Sequence, residues 1–124
     1  MNIKALVVDR KSVERCELTQ PLEQAGLRTV DYANVQELAA QPFRPGQYDV
    51  VFIDFHTLME AGRTLIRSLR EMDADVPLVV TYPHTAQLAD LKTYCPQASA
   101  YLESPFSRDE LHDALEACVS AATV

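Results

Sequence analysis

Short apolar runs alternate with helix-period segments five times along this chain, and that alternation constrains its fold more than any other feature. The runs are rich in Val, Ile and Leu and only a few residues long, as buried parallel strands are. Three of them stop on an oxygen-bearing side chain: Leu6-Val7-Val8 on Asp9, Val51-Phe52-Ile53 on Asp54, and Leu78-Val79-Val80 on Thr81. A fourth, Ala100-Tyr101-Leu102, stops just before Glu103-Ser104-Pro105. Strands alternating with helices give an α/β fold around a parallel sheet, and the ligand site of such a sheet lies outside the carboxyl ends of its strands. Asp9, Asp54, Thr81 and Ser104 are therefore expected to gather at one edge. Strands are expected near residues 3–8, 28–32, 49–54, 77–82 and 99–103.

The helices differ in how clearly they are marked. Ser107-Arg108-Asp109-Glu110 is a capping box, in which the serine oxygen accepts from the Glu110 amide and the glutamate reaches back. Leu111, Leu115, Cys118 and Ala122 follow on one face. Asn34-Val35-Gln36-Glu37 reads as a second box, opening a short helix that ends before Pro42. A helix from about Leu58 to Met72 buries Leu65, Ile66 and Leu69 and carries Arg63, Arg67 and Arg70 on its other face. That arginine stripe reads as a solvated face, the default for an amphipathic helix, against docking of a phosphate or acidic partner. Pro21 lies inside the first helix and removes a backbone donor, so that helix is expected to be irregular.

The 124 residues suffice for one domain, read as 1–124, with no linker, repeat or low-complexity stretch. A hydrophobic share of 48% is a globular composition, and the formal net charge of −7 opposes broad binding to nucleic acid or an anionic membrane. The N-terminal apolar stretch reads as too short for a signal peptide, and no window approaches the ~20 apolar residues of a membrane span. Cys16, Cys95 and Cys118 are odd in number and widely spaced, which suits reduced thiols in a cytoplasmic protein and neither a disulfide framework nor a zinc ribbon.

In this order and spacing the motifs become specific. Asp9 follows the first strand, Asp54 the third with Gly62 eight residues on, Thr81 the fourth, and Tyr101 with Ser104-Pro105-Phe106 the fifth. The chain resembles, nearly end to end, the receiver domain of bacterial two-component response regulators. The resemblance implies a doubly wound (βα)5 fold with flavodoxin-like strand order 2-1-3-4-5. It implies Asp54 as phosphoacceptor for a histidine kinase, Asp9 with Asp54 as Mg²⁺ ligands, and Thr81 as the hydroxyl that meets the phosphoryl group. It further implies Tyr101 as an aromatic whose rotamer follows Thr81, and Pro105 in a cis peptide.

This sequence departs from that pattern at four positions. Arg10 stands where the family has its second metal-binding acid, Lys11 where a further acid is common, Ser104 where the family has a lysine, and Tyr82 where a small residue is usual. Phosphoryl transfer needs cations to neutralise the moving oxygens, and Mg²⁺ needs oxygen ligands. Asp9, Asp54 and a backbone carbonyl near His56 remain candidates for such a site. A fixed charge on Arg10 at ~4 Å, with an effective dielectric of ~20, is worth ~4 kcal/mol, repelling a metal and attracting Asp54. Arg10 is thus expected to stand in for the metal, and Tyr82 to crowd the pocket.

The expected function is a receiver acting by protein–protein contact, with a conformational switch at the strand ends and weak or absent Mg-dependent phosphorylation of Asp54. Two alternatives stay open: a conventional phosphoacceptor receiver, and a small flavodoxin-like ligand-binding protein or enzyme. The last lacks a Gly-rich phosphate loop after the first strand, since the chain has only Gly26, Gly46 and Gly62. A transition-metal site through His56 and His84 has no supporting spacing motif, and His112 reads as solvated. Expected partners are a sensor histidine kinase, an output domain or protein, and a second copy through the fourth helix, fifth strand and fifth helix; the domain is regulatory, not an enzyme. Whether it stands alone or forms part of a longer regulator is not fixed by these residues.

Overall fold

A computed structural model describes residues 3–8, 29–83, 89, 92, 98–104 and 106–123. Five strands form one sheet: β1 (Lys4–Val8), β2 (Thr29–Ala33), β3 (Val50–Asp54), β4 (Leu78–Pro83) and β5 (Ala100–Ser104). The spatial order is β2-β1-β3-β4-β5, and every neighbouring pair is parallel. The described helices are α1 (Val35–Ala40), α2 (Phe55–Met72) and α3 (Arg108–Thr123).

Strand alternation sorts the core into two layers. Leu6, Val8, Val51, Ile53, Leu78 and Val80 face one side, where they pack with Leu38 of α1 and Leu58, Leu65, Ile66 and Leu69 of α2. Ala5, Val7, Val50, Phe52, Val79 and Leu102 face the other, against Leu111, Leu115 and Cys118 of α3. A sheet covered on both faces needs apolar residues at consecutive positions, which is why these strands read as unbroken runs and not as alternating ones.

The helix starts follow local chemistry. Asn34 Oδ1 accepts from the Glu37 amide at 2.8 Å and Glu37 Oε1 from the Asn34 amide at 3.1 Å. Ser107 and Glu110 make the same reciprocal pair at 3.1 and 3.3 Å. The C-terminal end of α2 is held by longer-range contacts. The buried Asp73 carboxylate accepts from the amides of Gly46 at 2.9 Å and Asp75 at 3.0 Å, tying the turn after α2 to the loop before β3. Gly46 has φ +78°, a left-handed conformation that a glycine adopts without steric penalty.

Two expectations are corrected here. α2 starts at Phe55, three residues before Leu58, because Asp54 itself caps the helix. Arg70 leaves the arginine stripe: its Nη1 donates to the carbonyls of Val76 at 2.6 Å and Ala74 at 3.2 Å, so it closes the helix end, while Arg63 and Arg67 stay exposed. The residues on which an irregular helix is expected around Pro21 lie outside the described residues, as do Cys16, Gly26 and Cys95.

Candidate functional site

At the carboxyl edge of the sheet, β3 runs directly into α2 through Asp54. Its φ of −74° and ψ of 146° keep it extended while it occupies the helix N-cap. The first amides of a helix have no partner within it, and aspartate is among the best side chains at satisfying them. Asp54 Oδ1 accepts from the His56 amide at 3.2 Å; Oδ2 accepts from the Thr57 amide and from Thr57 Oγ1, each at 3.1 Å. Thr57 is only 1% exposed. Thr57 is not among the residues singled out by the sequence pattern, although a signal for it is present: an N-cap residue followed three positions later by a hydroxyl, at the start of a helix-period segment.

On the next strand Thr81 is in direct register with Asp54. Alternation places both on the α3 side of the sheet, in line with Phe52 and Val79. Thr81 is 6% exposed, and Leu102 of β5 is its register partner on the far side. Tyr82 and Tyr101 belong to the opposite layer, packed against the cluster that α2 covers. The expectation that Tyr82 crowds the pocket is therefore corrected: one step along the strand from Thr81, its ring turns to the other face. Burial pushes the Tyr82 phenol above its ordinary value, and the Glu103 carboxylate, its register partner on β5, adds to the rise.

Ser104 ends β5 in register with Pro83, and only its backbone is described. Asp9, Arg10, Lys11, His84 and Pro105 lie outside the described residues. His56 is exposed, in edge-to-face contact with Phe55 at 5.4 Å between ring centroids. His112 pairs with Glu116 along α3 at 3.9 Å, in keeping with a helix-surface position.

Of the two candidate magnesium ligands, Asp9 and Asp54, the described residues include Asp54 alone. A carboxylate offers about four lone-pair positions, and three donors already meet this one. A helix N-terminus presents N–H groups and the positive end of the backbone dipole, which favours an anion and opposes a cation. With α2 starting at Phe55, the His56 carbonyl points down the helix, away from Asp54.

The parallel sheet between two helical layers agrees with what comparison with known proteins finds. A family model for the response regulator receiver domain matches residues 5–116. The chain belongs to that family. As a receiver domain it is a regulatory module of two-component signalling. It is 32% identical over 114 residues to the C4-dicarboxylate transport transcriptional regulatory protein DctD of Pseudomonas aeruginosa, covering 90% of this receiver and 24% of that protein. The receiver thus spans about a quarter of that relative's length. Among solved structures, a response regulator from Thermotoga maritima is 27% identical with a TM-score of 0.75, covering 97% of this receiver and 99% of that chain. The receiver domain of a Pseudomonas aeruginosa sensor histidine kinase, with a magnesium ion coordinated in its active-site cleft, has a TM-score of 0.74 at 22% identity over 97% and 99% of the two chains. That last likeness is one of fold. Among the described residues no helix is long and apolar enough to cross a membrane.

Proposed function

We propose that this receiver is an atypical signal-input domain, acting by protein–protein contact, in which Mg-dependent phosphorylation of Asp54 is weak or absent. The observation that carries this reading is the state of the Asp54 carboxylate: both oxygens are engaged by the start of α2. A carboxylate that serves as a helix cap gives up helix stabilisation when it becomes a nucleophile or a metal ligand. The sequence supports the same reading, with Arg10 and Lys11 in place of acids and Ser104 in place of a lysine. Asp9 remains the other candidate ligand, with Arg10 as a charge substitute for the metal.

In this reading Thr81 and Tyr101 are the switch residues, each reporting to a different face of the sheet. The partners are an output domain or protein and a sensor histidine kinase in the cytoplasm, with residues 1–124 as the domain and pairing through β5, α3 (the fifth helix of the family's pattern) and the fourth helix of that pattern, expected between β4 and β5. A partner that prefers one packing of that surface shifts the population toward it.

Conventional phosphoacceptor function is the second reading, favoured by the direct register of Asp54 with Thr81. One experiment separates the two. The protein is incubated with acetyl phosphate and Mg²⁺ and its intact mass is measured. The atypical reading expects little or no gain. A stoichiometric gain of one phosphoryl group that disappears in Asp54→Asn overturns it and supports the second.

A further inference from the structure

The charge of Asp54 has a partner within the fold that neither the sequence reading nor the family assignment identifies. Thr57 Oγ1 is 3.1 Å from Asp54 Oδ2, and an ionised carboxylate only accepts, so the hydroxyl donates. The Thr57 amide donates to the same oxygen at 3.1 Å. Thr57 is 1% exposed, so water does not compete freely for its hydroxyl, and its β-branch restricts χ1. The Asp54 Oδ2 is therefore held by a bidentate grip from one residue, while Oδ1 takes the single, longer bond from the His56 amide at 3.2 Å.

We infer that Thr57 is a positioning residue that keeps the Asp54 carboxylate turned into the α2 N-terminus and thereby closes it to a divalent cation. This rests on the atypical reading and supplies its physical cause within the described residues. The helix start and the Thr57 hydroxyl take up most of the hydrogen-bonding capacity of Asp54, so the site has a satisfied anion where a metal site needs an unsatisfied one. Removing the hydroxyl leaves the two amide bonds and the helix, but Oδ2 is then held by one donor instead of two, so that the carboxylate can exchange that bond for a cation.

The test compares wild type with Thr57→Val, which keeps the shape and loses the donor, with Thr57→Ala, which also opens space, and with Thr57→Ser, which keeps the donor. Mg²⁺ alone is titrated and followed by the amide shifts of Ile53, Asp54 and Phe55, and the Asp54 χ1 rotamer is read from scalar couplings without metal. Thr57→Val and Thr57→Ala are expected to average over Asp54 rotamers and to bind Mg²⁺ roughly tenfold more tightly than wild type, the low end of what a hydrogen bond to a charged group is worth. Thr57→Ser is expected to keep one rotamer and wild-type affinity. A single fixed Asp54 rotamer in Thr57→Val and Thr57→Ala, or the same affinity in all four proteins, total absence of binding included, overturns the inference. Tight Mg²⁺ binding by wild type contradicts the atypical reading instead, and leaves the comparison among variants to decide the role of Thr57.

Discussion

At the scale of single residues, two buried polar side chains are hydrogen-bonded where α2 begins and where it ends. Thr57, Asp73 and Thr81 are the buried polar side chains among the described residues, and two of them anchor α2. Cys118 shows how strongly the α3 layer excludes water. Burial pushes its thiol up to about 11, with a Ser99 hydrogen bond pulling weakly the other way. A raised folded-state value stabilises the native state fully below the unfolded thiol's ordinary value and loses that contribution as pH rises through the folded one. Stability is therefore expected to fall between the ordinary value of 9.0 and about 11, as the unfolded thiol ionises and the buried one does not. Urea titrations of wild type and Cys118→Ala across that window check this: the slope with pH is expected to flatten in the variant, and equal slopes contradict it. The Tyr82 phenol, also raised, drives stability the same way at still higher pH.

At the scale of elements, α2 organises the molecule. It spans 18 residues, begins on the last residue of β3 and ends on a second aspartate. If Asp54 serves chiefly as its cap, Asp54→Ala should lower global stability by about 1–2 kcal/mol and Asp54→Asn by much less, since asparagine caps nearly as well. Equal losses for both, measured by urea unfolding, contradict a capping role. Much of this level is legible in the sequence where the governing contacts are local. The boxes at Asn34–Glu37 and Ser107–Glu110 are three-residue patterns, and both form. The start of α2 is not legible, because Asp54 fits two descriptions, helix cap and strand-end acid, and the apolar run before it points to the second. The grip of Arg70 on the carbonyls of Ala74 and Val76 is not legible, because backbone carbonyls carry no residue-specific signal in a sequence.

At the scale of the whole molecule, a parallel sheet lies between two apolar layers. That layering is legible from the unbroken apolar runs, since only a sheet buried on both faces requires them. The direction in which Tyr82 points is not, because it depends on β4 running two residues beyond Thr81 without a break in alternation. The two layers are separated by the sheet, so substitutions in them are expected to act independently. Ile66→Val on the α2 side should cost about 0.5–1.5 kcal/mol and Leu115→Ala on the α3 side about 2–5 kcal/mol. Their double mutant should lose the sum to within ~0.5 kcal/mol. A larger deviation in urea unfolding would show that strain crosses the sheet. The two aspartates of α2 bear on the same question from the opposite direction. Asp54 fastens one end of a helix roughly 27 Å long and Asp73 fastens the other to Gly46. A rod clamped at both ends cannot pivot about one of them without loading the other. The backbone at Gly46 is thus the far bearing of a lever whose near end is Asp54, and a disturbance of that carboxylate is expected to register at the opposite rim of the sheet.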